Sequence, residues 1–108
     1  MTSAELLKAL KAELRKGRIY EAPLRSNYEH VDGMFDDANG RVYVNPAPQV
    51  AETLLHEVLH RRFPRWGEKR VTRTAKQLMR QMTARQAQWW YAQFKRLKKT
   101  IREPIRAD

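Results

Sequence analysis

The sequence predicts an α+β fold in which about four helices accompany a small antiparallel hairpin or short sheet within one domain spanning residues 1–108. Three observations carry that prediction. Apolar residues recur at helical spacing in four separate stretches. A turn-forming string, Asp37-Ala38-Asn39-Gly40, precedes the strand-like run Arg41-Val42-Tyr43-Val44. Finally, 108 residues are enough for one modest core and too few for a second independent unit.

The elements follow in order. Thr2-Ser3-Ala4-Glu5 has the pattern of a capping box, and Leu6, Leu7, Leu10 and Leu14 recur at helical spacing up to Gly17, so a first helix is expected from Ser3 to Lys16. Arg18 to His30 is mixed in pattern and interrupted by Pro23; it accommodates one or two short strands, with Ile19 and Tyr20 the best placed. Met34 to Val44 reads as a hairpin whose Asn39-Gly40 pair can take positive φ. Asn45-Pro46-Ala47-Pro48 breaks the chain before a second helix, expected from Pro48 to Arg62 and stopped by Pro64. Its stripe of Val50, Ala51, Leu54, Leu55, Val58 and Leu59 is broad enough to bury most of the helix. A third helix begins near Gly67-Glu68, with Val71, Ala75, Leu78, Met79 and Met82 on one face. Thr83-Ala84-Arg85-Gln86 is a second capping box. It opens a fourth helix with Ala87, Trp90, Tyr91, Phe94, Leu97 and Ile101 facing inward and Pro104 ending it.

Composition narrows the chemistry. With no cysteine, a thiolate zinc site, a disulfide framework and cysteine catalysis are excluded. The opening MTSAELLKALKAEL carries charges every few residues and no apolar run, so neither a secretory signal nor a membrane span is expected, and a cytoplasmic location is. The net charge of +10 is unevenly placed: residues 1–60 hold 7 Lys+Arg against 9 Asp+Glu, and residues 61–108 hold 15 against 3. Such asymmetry suggests an anionic partner for the basic half, nucleic acid being the usual one. Lys95, Arg96, Lys98, Lys99 and Arg102 can contact phosphates without reading sequence, and Trp89, set among arginines, can stack on bases. The plainer alternative is a solvated helical face.

The most informative string is His56-Glu57-Val58-Leu59-His60, which holds two of the three histidines in the chain. Residues four apart on a helix lie about 40° apart around its axis, so both imidazoles can reach one ion. Glu57 can lean toward a water on that ion, the general-base geometry of a zinc peptidase. Three polar residues on a largely apolar helix carry a desolvation cost of about 1–3 kcal/mol each when unsatisfied, which argues for a shared purpose. A catalytic zinc normally takes three protein ligands and leaves one position open. The candidates for the third are His30, Asp32, Asp36, Asp37, Glu52 and Glu68. Glu52 shares the helix with both histidines and cannot easily curl onto the same ion. Glu68 is the better placed, at the start of a helix that must fold back against the second across Phe63-Pro64-Arg65-Trp66-Gly67.

The segment HEVLHRRFPRWGEKRV, preceded by Thr53-Leu54-Leu55, resembles the small gluzincin-type metallopeptidases of phage and prophage origin, which are related to the ImmA/IrrE-type peptidases. Members place a hairpin and a short loop before the metal-binding helix, then a proline break, then a glutamate opening the next helix; Pro64 and Glu68 stand at the last two of these positions. The resemblance covers about residues 35–82. It implies a zinc-dependent hydrolase of peptide bonds holding one Zn2+ per chain on His56, His60 and Glu68, with Glu57 as base and a protein or peptide as substrate. The SprT/Spartan-like peptidases, which act on DNA-attached proteins, would suit the basic half. They resemble a pattern with a third histidine downstream, however, and no histidine follows His60. Tyr43 is a candidate oxyanion donor, with a packed sheet aromatic as the plainer alternative. Arg41 to Val44 is the candidate edge strand for binding substrate by strand addition. The rival function is a basic nucleic-acid-binding module with a structural or regulatory zinc. The oligomeric state is open on sequence alone.

Overall fold

Thr2 starts the first helix as expected: its hydroxyl accepts the N–H of Glu5 at 3.1 Å, and α1 runs Ser3–Arg15. The computed structural model describes residues 1–24 and 31–106. The leucine stripe of α1 faces solvent along its whole length, and no residue of this helix is buried. Gly17 and Arg18 both take left-handed φ, 73° and 62°, and turn the chain from α1 into β1 (Ile19–Glu21). Gly17 does so freely because it has no Cβ.

The sheet has three strands in the order β1-β3-β2, where β2 is Gly33–Asp36 and β3 is Arg41–Val44. The hairpin is where the turn string places it, with β2 antiparallel to β3 and Asp36 opposite Arg41. Gly40, at φ 70°, supplies the only left-handed residue of that turn. Asn39 instead accepts the N–H of Arg41 on its side-chain oxygen, and Asp36 accepts the N–H of Ala38. The expectation that Arg41 to Val44 is an edge strand is corrected here. β1 pairs in parallel with β3 in the register Ile19↔Val42, so the sheet is mixed and Arg41–Val44 is its central strand, not an edge. Both sides of β3 are already paired, and strand addition to it is blocked.

Three helices build the core: α2 (Ala47–Arg62), α3 (Glu68–Gln81) and α4 (Ala84–Leu97). Ala51 and Leu55 from α2, Ala75 and Met79 from α3 and Ala87 from α4 form one buried cluster, with Leu59, Met82 and Trp90 packed against it. Alanine at three of these positions lets the helix axes approach closely. Lys76 reaches Glu52 at 3.6 Å between α3 and α2. The sheet is tied to this bundle by polar contacts: Tyr91 on α4 donates to Glu21 on β1 at 2.8 Å, which pushes the Tyr91 hydroxyl pKa up. Asn45 bonds to both sides, as described below.

Helix four is shorter than its periodicity suggests. It opens on the full capping box of Thr83 and Gln86 but ends at Leu97, seven residues before Pro104. Leu97 and Ile101, expected inward, are 64% and 67% exposed. No described element covers this end. A continued helix would also stack Lys95, Lys98, Lys99 and Arg102 at like-charge spacing, with Glu103 the one acidic residue among them. The molecule exposes 9549 Å², against about 6,300 Å² expected for a compact monomer of 12.8 kDa.

Candidate metal centre

The site is built from the α2–α3 corner. His56 and His60 lie one turn apart on α2, on the flank beside the buried stripe, and their rings meet edge to face at 4.9 Å. The helix ends at Phe63, whose N–H bonds Leu59 O at 2.8 Å, and Trp66 N–H then bonds Phe63 O at 3.0 Å. Phe63 and Trp66 stack face to face, with centroids 4.3 Å apart and planes 9° apart. Arg62 covers Phe63 at 5.0 Å and Arg70 covers Trp66 at 3.8 Å. This cluster sits at the corner, where Gly67, the extended N-cap, sets the angle at which α3 starts.

That angle delivers Glu68 to the histidines. His56 Nε2 is 2.7 Å from Glu68 Oε1, and His60 Nε2 is 2.8 Å from Oε2, where it makes a hydrogen bond to the carboxylate. Ligand atoms of all three residues lie within 4.8 Å of one another, a group that can hold a metal ion. The donor set also fits by chemistry: two imidazole nitrogens and one carboxylate suit zinc, at ligand distances of about 2.0–2.2 Å. Tetrahedral ligands at that radius stand about 3.3 Å apart, so seating an ion requires each nitrogen–oxygen pair to open by roughly 0.5 Å. The exposed Glu68 side chain can supply that movement: it is 69% accessible, against 21% and 31% for the two histidines. The same openness leaves a free approach from solvent. The Glu68 carboxyl is held below the ordinary carboxylate range, first by its hydrogen bond from His60, with desolvation opposing and the proximity of His56 adding.

Glu57 is exposed on α2, about 60° round the helix from His60 and about 100° from His56. It borders the histidine pair on the side that faces α4, and it lines the groove there. The expectation that it would be a buried polar exception on this helix is therefore corrected; its carboxylate stands in solvent.

The other ligand candidates are placed elsewhere. Glu52 pairs with Lys76, Asp36 is engaged in the hairpin turn, and neither they nor Asp32 or Asp37 belong to the metal-competent group. His30 lies outside the described residues. Tyr43 sits on the central strand, half-buried, with its ring 5.9 Å from that of Tyr20, and no described contact joins it to the histidines. Of the basic residues, Lys95 is 3.9 Å from Glu21 and lies over the Tyr91 ring. Arg96 is held by Gln93 Oε1 at 2.6 and 3.1 Å. Lys98, Lys99 and Arg102 are exposed beyond the end of α4.

Sequence reasoning passed over two groups that matter to the site. The Phe63/Trp66 pair was legible only as two aromatics three residues apart around a proline. Asn45 read as a chain breaker, yet it is 4% exposed and joins three elements. Its Nδ2 donates to Val31 O at 2.9 Å, while its Oδ1 accepts from Gln88 Nε2 at 3.0 Å and from the first helical N–H, that of Ala47, at 3.3 Å.

No family model matches this chain, and no curated protein or solved structure matches it either.

Proposed function

We propose that this protein is a zinc-dependent hydrolase of peptide bonds, with His56, His60 and Glu68 as the ligands and Glu57 as the general base. The observation that carries the reading is the convergence of two Nε2 atoms and both Glu68 oxygens at 2.7 and 2.8 Å, reached across a helix break and beside an H-E-x-x-H glutamate. A zinc ion held there would lower the pKa of a bound water toward 7 and polarise a scissile carbonyl. The residues of the chain would do the rest. The Glu57 carboxylate takes the proton from the attacking water and passes it to the departing amine. His56 and His60 must present Nε2 unprotonated to the ion, so their Nε2 protons leave on loading. Glu68 would give up its close contacts to the two histidines for the ion and keep its negative charge in place.

The test has two parts. Elemental mass spectrometry of purified protein should find one zinc per chain, lost in His56→Ala and in Glu68→Ala. Glu57→Gln should keep the zinc and abolish peptide cleavage; retention of the wild-type rate in that variant would remove Glu57 from the mechanism.

A second reading draws on charge: a nucleic-acid-binding module with a structural zinc, using the 15 basic residues of positions 61–108. It predicts a steep salt dependence of binding and indifference to Glu57→Gln.

A further inference from the structure

Beside the candidate base, α2 and α4 diverge and leave a groove of about 850 Å³. A second hollow of about 420 Å³ continues it along α2, and the two share Leu54, Glu57 and Phe94. The size exceeds what one small side chain needs and falls in the range of built ligand sites. Its floor is apolar, with Leu54 and Val58 from α2 facing Trp89, Phe94 and Leu97 from α4, the last three exposed. Its rim is cationic: Arg61 on one side, Arg96, Lys98 and Lys99 on the other. Arg61, Lys98 and Lys99 have no carboxylate within ion-pair distance among the described residues, and Arg96 is held only by the neutral Gln93. Glu57 is the single acidic residue lining the groove, and it stands at the wall next to the histidine pair.

Resting on the hydrolase reading, we infer that this groove is the substrate cleft and that its occupant is an extended acidic peptide segment. A large apolar side chain next to the scissile bond lies on the Phe94–Leu97 floor, and carboxylates that follow it meet Lys98, Lys99 and Arg61. Charge complementarity selects the occupant. Four cations with no ion-pair partner among the described residues attract an anionic chain, and the apolar floor requires that chain to carry bulky side chains between its charges. A nucleic acid strand satisfies the rim less well. Three of the six apolar residues lining it, Leu54, Val58 and Leu97, are aliphatic and offer no stacking face to a base.

The test uses the full chain, zinc-reconstituted, with Glu57→Gln to keep peptides intact. The probes are two fluorescein-labelled peptides of serine and glycine with one central Phe, followed in one by a run of Asp and in the other by a run of Lys, and an oligothymidylate of matching length. Fluorescence anisotropy should give at least about tenfold tighter binding of the Asp peptide, and Lys98→Glu combined with Lys99→Glu should erase that preference. Both residues lie beyond α4, on exposed chain, so the fold does not depend on them. Mass spectrometry of wild-type digests should place cleavage beside the Phe of the Asp peptide. Preference for the Asp peptide without wild-type cleavage would uphold the groove and overturn the hydrolase reading. Cleavage with no preference between the peptides would do the reverse. Oligothymidylate displacing the Asp peptide at lower concentration than unlabelled peptide would overturn the groove assignment in favour of nucleic acid.

Discussion

Replacing Asn45 with Ala should destabilise the protein more than any other single polar truncation on the page. The side chain is 4% exposed and makes three hydrogen bonds: to Val31 O, from Gln88 Nε2 and from Ala47 N–H. At about 0.5–1.5 kcal/mol net for each bond, the loss is about 1.5–4.5 kcal/mol, centred near 3. A domain of this size loses about 4–8 °C of Tm per kcal/mol, so the melting midpoint should fall by about 12–24 °C. A stability of roughly 5–15 kcal/mol leaves the variant folded at 20 °C. The assay is thermal unfolding followed by circular dichroism at 222 nm, with Gln88→Ala as the internal scale. That variant breaks only one of the three bonds and should cost about 1 kcal/mol. If Asn45→Ala lost no more than Gln88→Ala, the reasoning would be refuted, because the bonds to Val31 and Ala47 would then contribute nothing. Through Gln88, Asn45 also ties the start of α2 to α4.

Trp66→Ala removes the centre of the Arg62–Phe63–Trp66–Arg70 stack and should weaken zinc binding by about 10–100-fold in a chromophoric-chelator competition, with Trp66→Phe restoring most of it; affinity within twofold of wild type would mean that the stack does not position Glu68. The Glu68 carboxyl is depressed in the folded, metal-free protein, so its interaction with the histidines stabilises the fold above the ordinary carboxylate pKa and is lost as pH falls through the lower folded value. Melts of metal-free wild type and Glu68→Gln should therefore differ at pH 6 and converge at the acid end. Zinc at a hundredfold excess over its Kd should raise stability by about 2.7 kcal/mol, seen as a higher Tm that chelator reverses and that His56→Ala lacks.

What the sequence made legible was local. Thr2, Gly67 and Thr83 mark helix starts because capping chemistry is decided within four residues, and all three helices begin where those residues stand. The histidine pair is legible for the same reason: helical spacing alone puts residues 56 and 60 on one face. Glu68 needed one further step, the proline break, and the structure brings it to both rings. What was not legible depends on partners distant in sequence. Ile101 continues the apolar period of α4, but periodicity cannot say whether another element covers that face, and here none of those described does. Val42 looks like an edge residue in a hairpin until Ile19 pairs with it from more than twenty residues away. Asn45 carries turn chemistry in its own neighbourhood, and its decisive partner, Gln88, is forty-three residues on.

The His56/His60/Glu68 group and the core are set by the same helix approach. Ala51 and Leu55 occupy the buried stripe of α2, His56 and His60 the flank beside it, and Glu68 lies three residues before Val71, which is fully buried at the start of α3. For Glu68 to reach both Nε2 atoms at 2.7 and 2.8 Å, the two axes must come as close as Ala51 and Ala75 permit. A larger side chain at Ala75 would push α3 outward in a core with no room for added methylenes. It would draw the Glu68 carboxylate away from the two histidines. The two alanines are thus as much determinants of the metal centre as the residues that would touch the ion. An H-E-x-x-H string on a helix that lacked this small-residue seam would place two histidines in solvent and no third ligand beside them.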